Sequence, residues 1–199
     1  MFNLKQGKEL IKLARKAVEK RKVGMKFSKE FEIKKGVFVT IETYPEKELR
    51  GCIGFPYPIF SLGEAVQKAA ISAAYEDPRF KPMEKEELGR VIFEVSILTE
   101  PEIIRVKRPK EYFEKIEIGR DGLIIQYGFS QGLLLPQVPV EYKWNVEDFL
   151  NNLCYKAGLP PTMWKNLDVK IYKFESQIFM EKSPLGDVVE RKLSAANNL

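Results

Sequence analysis

Leu4, Gly7, Leu10, Ile11, Ala14, Ala17 and Val18 return at intervals of three and four, which predicts an amphipathic helix over the first 20 residues. Asn3 stands where an N-cap belongs. From Gly36 the period changes to two. Val37, Val39 and Ile41 fall on one side of a predicted strand, with Phe38, Thr40 and Glu42 on the other. Residues 44–48 supply a proline turn, and 49–55 read as the returning strand. Pairing the two as a hairpin sets Thr40 near Cys52 and Glu42 near Arg50. Val37, Val39, Ile41, Leu49 and Ile53 then form the apolar face. The opposite face is a polar surface of Thr40, Glu42, Arg50 and Cys52.

Ser61-Leu62-Gly63-Glu64 fits a capping box, opening an Ala-rich helix that ends at Asp77-Pro78. Residues 90–99 form a strong strand signal, with Val91, Phe93, Val95 and Ile97 on one face and Ile92, Glu94, Ser96 and Leu98 on the other. A short helix is predicted over 109–115, and strands over 116–118, 123–127 and 133–135. Asn145 caps a helix with Val146, Phe149, Leu150, Leu153, Cys154 and Ala157 inward and Gly158 as its stop. Residues 169–180 read as one last long strand, and everything after Ser183 as a surface tail. Each half runs strand, proline loop, capped helix, strand; Pro56, Ser61 and Val91 answer to Pro136, Asn145 and Val169. The expected fold is α+β: one domain over 1–199, with lobes of mainly antiparallel sheet and packed helices at about 1–115 and 116–199. An internal duplication is a hypothesis on that pattern.

Composition narrows the chemistry. The 199 residues are 44% hydrophobic and 31% charged, enough to bury a core. No apolar run reaches bilayer length and the N-terminus lacks a signal-peptide core, so the expectation is cytoplasmic, with no membrane partner. There is no histidine, which excludes Ser-His-Asp and Cys-His catalysis and histidine-bound zinc. Two cysteines, Cys52 and Cys154, make no disulfide framework and no metal site. Abundant Lys, Arg and Glu suit a thermophile's surface. The net charge of +5 is uneven: residues 1–35 hold 12 Lys/Arg against 4 Asp/Glu. That excess is either a solvated helix face or a contact for nucleic acid or another polyanion. No Walker spacing or Gly-x-Gly-x-x-Gly after a strand is present, and the cofactor is left open.

The densest chemistry lies in Leu49-Arg50-Gly51-Cys52-Ile53-Gly54. Residues two apart on a strand share a face, so the Arg50 guanidinium is placed to favour a Cys52 thiolate. An Arg50–Glu42 ion pair would partly cancel that field. Gly51 and Gly54 let a ligand or another backbone approach. Cys52 as nucleophile or ligand contact, Arg50 as anion binder and Glu94 as acid or base form the catalytic candidates. Thr40, Gly51, Gly54, Asp77, Arg79, Ser96 and Gln137 are the candidate ligand-binding residues. A carboxylate inside a strand needs a partner, and Glu94 is expected to find Arg50 or Arg79. The plainer alternatives are a buried apolar Cys52 and an Asp77 that caps or turns beside Arg79. Cys154 reads as core.

The same hexapeptide resembles the signature of the AMMECR-type domain family. The resemblance runs from about Lys8 to about Met180 and includes Phe38-Val39-Thr40, Asp77-Pro78-Arg79-Phe80, Glu94-Val95-Ser96, Asp121-Gly122-Leu123, Leu134-Leu135-Pro136-Gln137-Val138 and Lys156-Ala157-Gly158-Leu159. One departure stands out: a Gly-Trp pair is expected after Glu141, and this chain has Lys143-Trp144. The resemblance implies a candidate cleft that includes Asp77 and Arg79, and association with a modification pathway, acting on a small molecule or a protein partner. The other reading is an RNA- or protein-binding module using the basic N-terminal helix.

Overall fold

A computed structural model describes residues 1–193. Asn3 caps α1 (Leu4–Lys20) through a reciprocal box: its side chain accepts from the Gln6 amide at 3.0 Å, and the Gln6 side chain accepts from the Asn3 amide at 2.7 Å. The chain continues through β1 (Gly36–Thr43), β2 (Leu49–Phe55), α2 (Leu62–Tyr75), β3 (Val91–Leu98), β4 (Glu102–Ile103), α3 (Tyr112–Lys115), β5 (Gly122–Tyr127) and β6 (Ser130–Leu134). It ends with α4 (Gln137–Glu141), α5 (Val146–Lys156), β7 (Lys170–Phe174), β8 (Ser176–Glu181) and β9 (Val188–Arg191). The fold is α+β, with one five-stranded sheet ordered β2-β1-β3-β8-β9 and one four-stranded sheet ordered β4-β7-β5-β6. The pairs β1–β2, β1–β3, β8–β9, β4–β7, β5–β6 and β5–β7 are antiparallel.

Two compact units hold these sheets. The first is Met1–Glu100 with Gln177–Arg191, and the second is built on Pro101–Ser176. The expected lobe boundary at 115/116 therefore falls inside the second unit, and the first is discontinuous in sequence. The cause is the last long strand, which is two strands. β7 joins the four-stranded sheet and β8 the five-stranded one, with Glu175 between them. A continuous run of strand formers carries no mark of the sheet in which each part pairs. The presumed tail contains β9, which pairs Ile178 with Arg191 and Glu181 with Val188; residues 194–199 lie outside the described residues. The two sheets do not repeat one another in strand number or order, and a duplication gains nothing from them.

Local departures have local causes. Residues 116–118 are not a strand: the Asp121 carboxylate accepts from the Glu117 amide at 2.9 Å and curls the segment into a turn. Ser61 opens α2 without a side-chain cap bond, and the expected box is not closed; Glu64 pairs with Lys68 at 3.5 Å. The loop after Leu135-Pro136 contains the short α4. Lys143 explains the departure from the expected Gly-Trp pair: its φ of 55° lies in the left-handed region, where glycine fits at least cost.

In the first unit, α1 and α2 cover the apolar face formed by Val37, Val39, Ile41, Phe93 and Val95. Gly51 is dictated by that layer. A Cβ built there would lie 2.0 Å from the Ala73 carbonyl oxygen of α2, so the close neighbour is a backbone. The second unit closes its own core around Phe149, Leu153, Cys154, Trp164 and Ile171, and Cys154 is fully buried there as expected.

An ion pair the sequence does not announce lies inside the first unit. Arg15, on the inner side of α1, meets Glu181 of β8 through Nε–Oε1 at 2.5 Å and Nη2–Oε2 at 2.7 Å. Its remaining donors reach the Leu88 carbonyl at 2.9 Å and the Val91 carbonyl at 2.5 Å, and Glu181 also accepts from the Phe93 amide at 2.9 Å. The guanidinium sits 4.7 Å from the centre of the Phe93 ring. Removing one member strands the other charge in the interior. Glu181→Leu should therefore lower unfolding stability by ~3–5 kcal/mol in urea titration, with Arg15→Met/Glu181→Leu recovering much of the loss. Lys143→Gly, which relieves a left-handed lysine, should raise stability by roughly 1 kcal/mol in the same measurement.

Candidate functional site

Backbone register assembles the site. Thr40 of β1 lies opposite Cys52 on one side and opposite Glu94 on the other, so the three stand in a row across β2, β1 and β3. Gly51, next in sequence to Cys52, faces α2, which sets the row on the sheet face away from the helices. The Thr40 hydroxyl donates to the Cys52 sulfur at 3.4 Å. Thr40 and Glu94 are buried and Cys52 is half-buried. Arg191 of β9 donates from Nη1 to Glu94 Oε2 at 2.9 Å. Glu94 thus has its cation, but neither Arg50 nor Arg79 supplies it. Ser96 is two residues along β3 from Glu94, fully buried opposite Phe38. Gly54 pairs with Phe38, and a Cβ there would stand 2.3 Å from the Val37 carbonyl oxygen and 2.4 Å from Phe38 Cγ, so this glycine makes room for the β1 backbone as well as for the ring.

Asp77 and Arg79 close on the backbone of Cys52. β2 is an edge strand, and its outward amide and carbonyl groups need partners. The Cys52 amide donates to Asp77 Oδ2 at 2.9 Å, and Arg79 Nη2 donates to the Cys52 carbonyl at 3.3 Å. The two side chains are themselves joined, Nε to Oδ1 at 2.9 Å and Nη2 to Oδ2 at 2.6 Å. Together they offer the edge residue one acceptor and one donor, as a neighbouring strand would. The Arg79 guanidinium and the amides of Cys52 and Arg79 hold the Asp77 carboxyl down at about 2, against the opposing effect of burial.

Arg50 is not beside the thiol. A β-bulge interrupts the hairpin: Ile41 pairs with Gly51, but Glu42 pairs with Leu49, leaving Arg50 out of the ladder. The alternation that would align Arg50 with Cys52 is broken there, as is the expected Glu42–Arg50 pairing. Arg50 turns instead to Glu87, with Nε–Oε1 at 2.7 Å and Nη2–Oε2 at 3.1 Å, and to the Lys81 carbonyl at 2.9 Å. Phe80 lies 5.9 Å from its guanidinium. Burial pushes the Cys52 thiol up, and the charges of Glu94 and Asp77 add to this; the Thr40 hydrogen bond and the Arg79 charge oppose it without reversing it. The cation acting on the sulfur is therefore Arg79.

The register thus brings Thr40, Cys52 and Glu94 together, fastens Asp77 and Arg79 to their edge, and keeps Ser96 on the same strand face. Gly51 faces the helix layer, Arg50 belongs to the Glu87 contact, and Gln137 is a buried residue at the start of α4 in the second unit. Sequence reading misses Arg191 and Glu87. The paired Val188-Val189 before Arg191 is a short strand signal, and Glu84 with Glu87 three residues on is a capping box that brings Glu87 back toward the Glu84 amide at 2.7 Å. Among the described residues no group of three or more Cys, Asp or Glu is arranged to hold a metal ion, and no helix is long and apolar enough to cross a membrane.

An α+β protein with two antiparallel sheets, its edge strand clipped by an Asp-Pro-Arg-Phe turn, is the class these features define. The chain belongs to the AMMECR1 family, whose model matches residues 11–179. It is 56% identical over 198 residues to Protein MJ0810 of Methanocaldococcus jannaschii, covering 97% of this chain and 98% of that one. It is 52% identical over 200 residues to Protein MK0488 of Methanopyrus kandleri, covering 97% of each. The crystal structure of the uncharacterized protein PH0010 from Pyrococcus horikoshii matches with a TM-score of 0.92 at 46% identity, over 96% of this chain and 99% of that one.

The Asp77 clip predicts a pH dependence. Its carboxyl titrates lower in the folded chain than in the unfolded one, so the ionised form stabilises the fold above the ordinary carboxyl value. That contribution is lost as pH falls from about 4 toward about 2. Asp77→Asn should be less stable than the parent at pH 7, and the gap should narrow across that window in thermal melts.

Proposed function

We propose that the Cys52–Thr40–Glu94 row is a non-covalent binding site for a small polar ligand or for a polar group of a protein partner. The observation that carries this reading is the register that sets a thiol, a hydroxyl and a carboxylate side by side on one sheet face. Cys52 is not fully buried as a residue, but its sulfur is largely withdrawn from water, so the site takes a ligand that displaces little solvent there. Its raised thiol pKa favours a neutral contact over a nucleophile. Arg79, fixed by Asp77, and Ser96 complete the proposed polar surroundings, and Glu94 serves as a hydrogen-bond acceptor in preference to a general acid. In a modification pathway of the cytoplasm, where two free cysteines are at home, the chain would hold a substrate or partner while another component makes or breaks bonds.

Two measurements test this. Iodoacetamide alkylation of Cys52, followed across pH by mass spectrometry, should show a midpoint above the free-thiol value of about 8.5; a lower midpoint returns the cysteine to the role of nucleophile. Native mass spectrometry of the protein as purified should reveal a bound small molecule or partner that Thr40→Val/Glu94→Gln no longer retains. Detection of nothing bound to the parent, or retention by the variant, would overturn the binding reading.

A further inference from the structure

The outer face of α1 is a ridge of lysines. Lys5, Lys8, Lys12, Lys16 and Lys20 are all exposed and succeed one another at intervals of three or four, so they lie along one line of the helix. From Lys5 to Lys20 the line runs roughly 22 Å at the usual helical rise. Among the described residues none of the five is ion-paired. Glu19 is the one exposed acid of the helix; Glu9 is half-buried and accepts from the Ser28 hydroxyl at 2.8 Å, and Glu30 nearby is held by Gln6.

This arrangement works against the helix that carries it. Like charges at these spacings cost roughly 0.2–0.5 kcal/mol per neighbouring pair. The first turn of α1 has no acidic residue, and Lys5 stands at the positive end of the helix dipole. Glu9 and Glu19 stand three or four positions from Lys5, Lys12 and Lys16, but among the described residues neither is ion-paired to a lysine as Glu64 is to Lys68 in α2. The buried face of α1, anchored by Leu10, Ile11, Ala14 and the Arg15–Glu181 pair, bears the cost.

We propose that this ridge docks a nucleic-acid duplex through its phosphates. A duplex backbone is a rigid, regularly spaced line of negative charge, and an unpaired line of lysines on a straight helix is its complement. A single strand is the poorer fit, because such strands are held by stacking as well as charge and the exposed positions of α1 include no aromatic residue. An anionic membrane is poorer still, because the apolar face that a surface helix would insert is buried in the protein core. Lysine contacts phosphates without reading bases, so binding is indifferent to sequence.

Fluorescence anisotropy with a labelled DNA duplex of about 20 base pairs, across a KCl series, tests the proposal. With all five lysines engaged, log K should fall against log salt with a slope near −4.5. Lys8→Gln/Lys12→Gln/Lys16→Gln should reduce the slope by about 2.7 and weaken binding at low salt by ~10-fold or more. Circular dichroism should show the variant's helix intact and its melting point unchanged or raised. A single strand of equal length should bind ~10-fold more weakly than the duplex. The proposal fails if the parent does not bind the duplex, if the variant binds like the parent, if the single strand binds as tightly, or if phosphatidylserine vesicles bind while the duplex does not.

Discussion

The Arg15–Glu181 pair is the constraint from which the rest of the first unit follows. Two charges this deep are tolerated only when each is matched, and here every interaction is directed: the carboxylate grips the guanidinium twice and takes the Phe93 amide as well. The pair ties the first helix to a strand 166 residues later. It thereby fixes β8 beside β3, and β8 in turn registers β9, delivering Arg191 to Glu94. The polar row on the sheet face and the buried pair behind the helices are thus connected through one strand. With its inner face so firmly held, α1 can carry an outer face that is electrostatically unfavourable.

The hexapeptide around Cys52 divides into separate duties. Gly51 admits a helix backbone, Gly54 admits the β1 backbone and the Phe38 ring, Arg50 turns to Glu87, and the main chain of Cys52 is gripped by Asp77 and Arg79. Much of this motif is therefore committed to holding an edge strand in place. What it leaves for chemistry is the Cys52 side chain, aligned with Thr40 and Glu94. Burial and two nearby carboxylates work against ionisation of that sulfur, and one hydrogen bond and one guanidinium work for it. The balance favours the neutral thiol.

The Asp77–Arg79 clip also shows how an exposed sheet edge is managed without another strand. A carboxylate and a guanidinium locked together in a proline turn present an acceptor to the Cys52 amide and a donor to its carbonyl. The pair is local in its own bonding and also reaches the strand that carries Cys52.

Hydrophobic period and capping chemistry alone dictate α1, the β1–β2 hairpin, β3 and α5, because each rests on neighbours a few residues away: Asn3 with Gln6, Asn145 with Asp148, alternating valines on one face. They also set Thr40 opposite Cys52 and put Glu94 with Ser96 on one face of β3, since strand phase is a local property; the β1–β3 register that brings Glu94 beside Thr40 is not. Three-dimensional packing alone could choose the bulge that removes Arg50 from the face of Cys52, the change of sheet at Glu175, the pairing of β9 that brings Arg191 to Glu94, and the burial of Arg15 within a lysine-rich helix. These depend on partners scores of residues apart, whose identity is written in no local pattern. The free energy that selects them exists only once the chain has closed on itself.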